Sequence, residues 1–402
     1  MTGTQQVLTL SEYHPAILEM NQVSIEDGEC LYHQYGKKIQ VEFPSPVNDQ
    51  QWRFTSQGWV GYLAVSPSLA LHLQPKVTMR NLFGMLEVAY RLKDFEFLQG
   101  LYDCDTLQEV YDSLARVLAN KVLERCQKGL YAEYRQQRQR SMTIKGRLDM
   151  AQTVKAPWKA SLPNVYEEHT RDLDENRILL WTLHRILRSN ACNAGTRTLV
   201  RTSCRELGQT VSLTPFTTSD CVDRVYNRLN HDYLAPHTLC RFFLESCGPR
   251  HDPGQKQCLP FLINMASLFE LYVAEWLKEH APQEIEFEPH HKIYLSNEPP
   301  TLFDLDVLVK DRETGQPLVV LDTKYKVPNQ PSTGDIQQVV AYAEAVGCKQ
   351  AFLVYPRPLT MPFHARIGDI QVGTLTFDIR NDLTFGGEKF MRLLIQACLQ
   401  NL

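Results

Sequence analysis

Two aspartates and a lysine in the last third of the chain have the types and spacing that phosphodiester hydrolysis needs. In Leu302-Phe303-Asp304-Leu305-Asp306-Val307-Leu308-Val309 the pattern alternates with period two. Phe303, Leu305, Val307 and Val309 fall on one face, and Asp304 and Asp306 on the other. Past the turn Arg312-Glu313-Thr314-Gly315-Gln316-Pro317, the run Leu318-Val319-Val320-Leu321-Asp322-Thr323-Lys324 puts Asp322 and Lys324 two apart, on one face. A hairpin about that turn sets Asp306 roughly opposite Asp322. Carboxylates among apolar strand residues are costly unless paired or bound to a cation. Mg²⁺, or Mn²⁺ in its place, takes one or two carboxylates together with water and phosphate oxygens. Asp306 and Asp322 are the expected metal ligands, and Lys324 would orient the attacking water and oppose developing charge. From spacing alone, a surface hairpin closed by an Asp–Lys salt bridge explains these residues equally well.

The elements around them tip the balance. Ser332 with Asp335 three residues on, and Gly347 at the far end, delimit a helix over 333–346. Gln338 and Tyr342 lie four apart on one face of it, suited to holding a phosphate or DNA backbone by hydrogen bonds. Upstream, Met265, Leu268, Phe269, Tyr272, Val273, Trp276 and Leu277 mark another helix. Strand-like segments near 285–294, 302–310, 318–325 and 350–355 complete an α-β-β-β-α-β order. Glu270, at the edge of the helical stripe, reads as an additional metal ligand or a structural acid. Asp304 shares the face of Asp306 and is a candidate second acid. Lys326 continues the face of Lys324, as a phosphate contact or a plain surface lysine. His290 and His291 are adjacent on a strand and point to opposite faces, so they make no metal pair.

Composition narrows the class. With 402 residues there is room for two or three domains, and 43% apolar and 22% charged residues are ordinary for a globular protein. A net charge of −4 excludes a chain basic all over, so a nucleic-acid contact needs a local basic surface or a partner's grip. The eleven cysteines show no CxxC pair, and even the densest group, Cys240, Cys247 and Cys258, lacks zinc-site spacing. Free buried thiols in a reducing cytosol are the expectation. No run of 18 apolar residues and no charged-then-apolar start are present, which predicts neither a membrane span nor a signal peptide.

Residues 1–104 read as a β-rich module. Trp59–Val65 and Leu69–Leu73 are strand-like runs separated by a Ser-Pro turn, and Asn81–Leu92 has helical spacing. Residues 105–255 read as mainly helical, with apolar stripes through Leu107–Leu118 and Ile178–Leu187. Between them, Arg135, Arg138, Arg140, Lys145 and Arg147 form a run without an acid, either a solvated helix face or loop, or a strip contacting phosphate or a partner. Residues 256–402 hold the α/β part. No phosphate loop GxxxxGK[ST] occurs.

Asp306, fifteen intervening residues, and Asp322-Thr323-Lys324 within this element order resemble the PD-(D/E)xK nuclease superfamily, with Leu305 where a proline usually precedes the first acid. Leu321–Lys326, and Asp335–Ala343 as D-x-x-Q-x-x-x-Y, resemble the McrC family, the nuclease subunits of McrBC restriction systems. Gly58–Tyr62, Leu73–Val77, Lys145–Asp149, Asp172 with Asn176, and Leu268–Glu270 are similar to further landmarks of that family, in order. The resemblance implies a mixed-sheet α/β nuclease core preceded by a partner-docking region. It implies a Mg²⁺-dependent endonuclease acting on modified double-stranded DNA in the cytoplasm. A separate McrB-like AAA+ GTPase ring would translocate the DNA, its hydrolysis stimulated by this chain. A non-catalytic adaptor for the ring and a stand-alone repair nuclease are the two alternatives.

Overall fold

A computed structural model describes residues 6–66, 68–91, 106–189, 191–222, 224–246, 261–297, 300–326 and 328–399. The chain divides into two compact units: 1–110 with 250–402, and 111–249.

The first unit begins with β1 (Gln6–Ser11), β2 (Pro15–Leu18), α1 (Ile25–Tyr35), β3 (Ile39–Glu42), β4 (Trp52–Ser56), β5 (Trp59–Ala64), β6 (Leu69–Gln74) and α2 (Met79–Ala89). The two strand-like runs around the Ser-Pro turn pair as the antiparallel β5–β6 ladder. Leu10, Leu31, Phe54, Leu63, Leu71 and Leu73, all buried, form the core of this part together with Trp52.

The second unit holds α3 (Leu107–Lys128), whose first turn belongs to the first unit, then β7 (Glu133–Ser141), β8 (Arg147–Leu148), α4 (Met150–Lys155), β9 (Leu162–Thr170), α5 (Asp174–Arg188), α6 (Ala194–Gly208) and α7 (Leu234–Ser246). Here one expectation is corrected. Of the basic run, Arg135, Arg138 and Arg140 lie on the strand β7 and Arg147 on β8, in a sheet of order β7-β9-β8, and only Lys145 is in a loop. Glu-Tyr-Arg-Gln-Gln-Arg-Gln-Arg-Ser has no 3.6-residue apolar stripe to bury. Its backbone groups are satisfied by pairing with β9, from Glu133↔Thr170 to Ser141↔Leu162. Gly146, at φ +66°, passes so close to Val165 O that a Cβ there would lie 2.6 Å from it.

The chain then returns to the first unit with β10 (Phe261–Asn264), α8 (Met265–Glu279), β11 (Ile285–Asn297), β12 (Pro300–Asp311), β13 (Pro317–Thr323), α9 (Thr333–Val346), β14 (Gln350–Tyr355), β15 (His364–Ile367), β16 (Ile370–Thr376) and α10 (Leu383–Leu399). Although the sequence suggests a boundary near 255, β10 pairs with β5, giving a four-stranded sheet β1-β6-β5-β10. That approach needs Gly61, at φ +135°, where a Cβ would sit 2.1 Å from Phe261 O. On the C-terminal side, Asn81 Nδ2 donates to Ile379 O at 2.7 Å and Asn381 O at 2.8 Å.

The α-β-β-β-α-β order expected from sequence is observed as α8-β11-β12-β13-α9-β14. It forms a mixed sheet of order β11-β12-β13-β14-β16-β15, antiparallel through β11–β13 and parallel at β13–β14 and β14–β16. Val319, Val320 and Leu321 are wholly buried, as a central strand covered on both faces requires. Asp311 caps the β12–β13 turn, accepting from Thr314 N at 2.6 Å, and Gly315 takes its left-handed position. Ser332 Oγ accepts from Asp335 N at 3.2 Å to start α9, and Gly347 ends it at φ +71°. The eight described cysteines are free; Cys240 is buried, while Cys247 and Cys258 lie outside the described residues. Among the described residues no helix is long and apolar enough to cross a membrane.

Candidate active site

The β12–β13 ladder runs from Lys310↔Pro317 to Val307↔Leu321; carried one step further, it sets Asp306 opposite Asp322. There the backbone pairing gives way to a side chain. Asp306 Oδ2 accepts from Thr323 N at 2.6 Å and from Thr323 Oγ1 at 2.7 Å. Asp322 is 1% exposed. Lys324 Nζ lies 2.6 Å from its Oδ2, an ion pair that is this buried oxygen's one polar contact among the described residues. The hairpin predicted from spacing is thus present, with Asp322 buried and Asp306 half-buried.

Glu270 comes to the same place from α8. Asn264 Oδ1 starts that helix, accepting from Ala266 N at 3.0 Å and Ser267 N at 3.4 Å. Burial, followed by the negative fields of Asp306, Asp304 and Asp322, pushes the Glu270 carboxyl up to about 8. Burial and then Asp306 push Asp322 up to about 7, against the pull of Lys324. Asp306 is raised by burial despite its hydrogen bonds from Thr323 and the fields of Lys324 and His290. Burial works to lower the Lys324 ammonium, but Asp322, Asp306 and Asp335 outweigh it and raise the pKa. Acids outnumber cations at this spot, an imbalance that a divalent cation corrects. Among the described residues no three His, Cys, Asp or Glu side chains converge closely enough to hold a metal unaided. Asp306 and Asp322 are two carboxylates of the kind that a hard ion keeping several of its waters takes.

The supporting residues of α9 are brought in as a chain. Lys324 Nζ donates to Gln338 Oε1 at 3.2 Å, and Gln338 Nε2 donates to Tyr342 Oη at 2.8 Å. Tyr342 is buried, with its ring 5.1 Å from that of Phe303, so it braces Gln338 rather than reaching out to a phosphate. Lys326 is committed to Asp335, 2.7 Å away. Asp304 is exposed, paired across the strands with Lys292, and acts on the site through its charge on Glu270.

Sequence reasoning missed two contributors. One is Thr323, the middle residue of Asp-x-Lys, which holds Asp306 through both its backbone and its hydroxyl. The other is His290. The two histidines part company as expected: His291 Nδ1 meets Glu288 at 2.8 Å, while His290 Nδ1 lies 3.5 Å from Glu270 Oε1. Pro289↔Val307 and His291↔Leu305 flank it, so His290 stands across from Asp306. The register of β11 on β12 was the available signal. Its left-handed backbone, φ +51°, was not readable from sequence.

The basic residues of the run belong to the second unit. Arg135, Arg138, Lys145 and Arg147 are exposed and Arg140 is half-buried. Lys145 Nζ lies 5.6 Å from the Tyr166 ring centroid, and Arg140 donates to Gln152 O at 3.5 Å. In the same stretch of chain Met142, Ile144 and Trp158 are 76%, 63% and 77% exposed.

Three comparisons bear on this arrangement. The family model "McrBC 5-methylcytosine restriction system component" matches residues 54–356. The type IV methyl-directed restriction enzyme EcoKMcrBC of Escherichia coli (strain K12) is 23% identical over 268 residues, 63% of this chain and 74% of that protein. A chain from the tetradecameric assembly of Thermococcus gammatolerans McrB AAA+ hexamers with bound McrC superposes with a TM-score of 0.54. It is 18% identical, covering 97% of this chain and 100% of that one, and the likeness is one of fold.

Proposed function

We propose, from the premise that this chain belongs to the McrBC 5-methylcytosine restriction system component family, that it is the McrC-type nuclease subunit, a cytoplasmic Mg²⁺- or Mn²⁺-dependent DNA endonuclease of the PD-(D/E)xK type. The observation that carries the reading is the convergence of Asp322, buried to 1% exposure, with Asp306 and Glu270 around the single ammonium of Lys324, an excess of acid at a largely buried spot. A structural salt bridge needs one acid for one base, whereas an excess of buried carboxylates calls for a divalent cation.

When bound, the metal supplies a water of lowered pKa and neutralises charge on the phosphate. Asp306 and Asp322 hold it. Thr323 keeps Asp306 in one orientation through two hydrogen bonds, at 2.6 and 2.7 Å. Lys324, raised and therefore protonated, places a positive charge where negative charge grows on the phosphate oxygens. Gln338, braced by Tyr342, fixes the direction of that ammonium. Glu270, its carboxyl pushed up to about 8 by burial and by Asp306, Asp304 and Asp322, would lie close to the cation and feel its charge without being one of its two protein ligands.

The assembly of McrB AAA+ hexamers with bound McrC supports a McrB-like GTPase ring as the partner. The β7–β9 hairpin, with Arg135, Arg138 and Arg147 and with Met142, Ile144 and Trp158 exposed, suits docking to that ring and stimulating its GTP hydrolysis. Double-stranded DNA bearing modified cytosine is the proposed substrate, by membership of a 5-methylcytosine restriction family.

Plasmid cleavage in the presence of the partner, GTP and Mg²⁺ tests the assignment. Asp306→Ala is expected to abolish cleavage while leaving GTPase stimulation in place. Equal cleavage by Asp306→Ala and wild type would sink the nuclease assignment, and robust cleavage by the chain alone would sink the dependence on a motor.

A further inference from the structure

We propose that Glu12, in the N-terminal module, is a positioning residue for Lys324, acting through Tyr325. The proposal rests on the nuclease reading above for its functional meaning, and on geometry for its substance.

Glu12 follows β1 and is wholly buried. Its Oε2 accepts from Lys76 N at 2.9 Å and from Tyr325 Oη at 3.2 Å, while Oε1 is buried with no hydrogen-bond partner. A half-satisfied buried carboxylate is an expensive way to join two segments; an amide or an apolar residue would do it at less cost. Its place is the informative part: 313 residues away in sequence, it grips the residue immediately after Lys324. The neighbouring Tyr13 adds a second hold. Its hydroxyl donates to Tyr325 O at 3.4 Å, from a left-handed backbone at φ +55° that a non-glycine residue adopts only at a cost. The Tyr325 ring rests on Phe269, centroids 5.9 Å apart, one residue before Glu270.

Tyr325 is therefore held at its hydroxyl, its carbonyl and its ring. β13 ends at Thr323, so the stretch carrying Lys324 lies beyond the regular ladder, where only Lys324 N→Val354 O, at 2.8 Å, continues the pairing. Side-chain grips on residue 325 hold the backbone from which Lys324 reaches Asp322 and Gln338, and displacements near 1 Å at a reacting group cost about a hundredfold in rate.

Tyr325→Phe removes only the hydroxyl and keeps the ring on Phe269. Two readouts apply to the full-length chain. The first is acetylation of lysines by an amine-reactive ester without metal, read by peptide mass spectrometry. Loss of the grip is expected to raise labelling of Lys324 about threefold to tenfold, the worth of one hydrogen bond, with labelling of Lys310 and the unfolding temperature unchanged. The second is plasmid cleavage with the partner, GTP and Mg²⁺, where kcat is expected to fall about tenfold at unchanged KM. Glu12→Ala should match Tyr325→Phe in both readouts, and Glu12→Gln, which keeps an acceptor for Tyr325 and Lys76, should restore wild-type behaviour. Wild-type Lys324 labelling in Tyr325→Phe would overturn the proposal, as would a rise shared by all lysines with a lowered unfolding temperature. Should wild type and Asp306→Ala cleave alike, the nuclease reading fails, and Lys324 labelling still decides the grip.

Discussion

Asp172, in the helical unit, accepts from Arg177 Nε and Nη2 at 2.8 Å each and from Ser212 N and Oγ at 2.8 Å each. Asp322, in the α/β part of the other unit, has a single cation 2.6 Å from its buried Oδ2 and none of the further donors that surround Asp172. The Arg177 hydrogen bonds hold the first carboxyl well below its ordinary range, and burial pushes the second up to about 7. Both are acids beside a basic residue a few positions on, and sequence spacing hardly separates them. What separates them is satisfaction. A carboxylate whose lone pairs are filled by protein donors is holding the fold, and one left wanting donors inside the protein is waiting for something else.

Removing each acid should therefore have opposite consequences. Asp322→Asn is expected to lower DNA cleavage by at least about a hundredfold, while stability in urea without metal stays level or rises by about 1 kcal/mol, because a buried, poorly partnered charge has gone. Asp172→Ala is expected to lose about 2 kcal/mol of stability, since charged hydrogen bonds from Arg177 and Ser212 vanish together, with cleavage per folded molecule unchanged. Equal destabilisation by the two substitutions would break the distinction.

pH sharpens it further. Asp322 has a folded pKa of about 7 against an ordinary 3.8, so its proton is bound more tightly in the folded state. That contribution is whole below about pH 4 and is lost as pH rises through 7; Glu270, raised from 4.5 to about 8, extends the loss. Asp172 behaves in reverse, stabilising above its ordinary value of 3.8 and losing the contribution as pH falls below it. Metal-free wild type should lose stability relative to Asp322→Asn between pH 4 and 8, and Mg²⁺ should flatten the difference. Unfolding curves that stay parallel across that range would mean Asp322 is solvated.

Much of this site was legible in the sequence because period two is unforgiving. Asp306, Asp322 and Lys324 had to share a face, and the caps Ser332 and Gly347 fixed the helix that presents Gln338 and Tyr342. Trp59–Ala64 and Leu69–Gln74 were equally plain. The polar strand β7 was not, since a strand exposed on both faces leaves no apolar alternation to read. Nor was β10 on β5, a pairing between Phe261–Asn264 and a strand some two hundred residues earlier, set by the missing Cβ of Gly61. Contacts such as Glu12 with Tyr325 belong to the same class: local pattern carries no trace of them.

His290 offers the smallest and most discriminating test of the contrast between satisfied and unsatisfied acids. Its imidazole lies 3.5 Å from Glu270 Oε1 and stays 46% exposed, so the pair is worth little in stability. Its backbone, at φ +51°, is a separate matter, because asparagine tolerates that region and β-branched residues do not. His290→Asn is expected to keep stability within about 0.5 kcal/mol and to lower cleavage about threefold, the scale of one exposed pairing interaction. His290→Val should show the same loss of cleavage and, in addition, about 1–2 kcal/mol of instability from the left-handed backbone. Denaturant unfolding and initial cleavage rates separate the two effects. Wild-type rates in His290→Asn would show that α8 alone places Glu270, leaving the histidine with only its turn to hold.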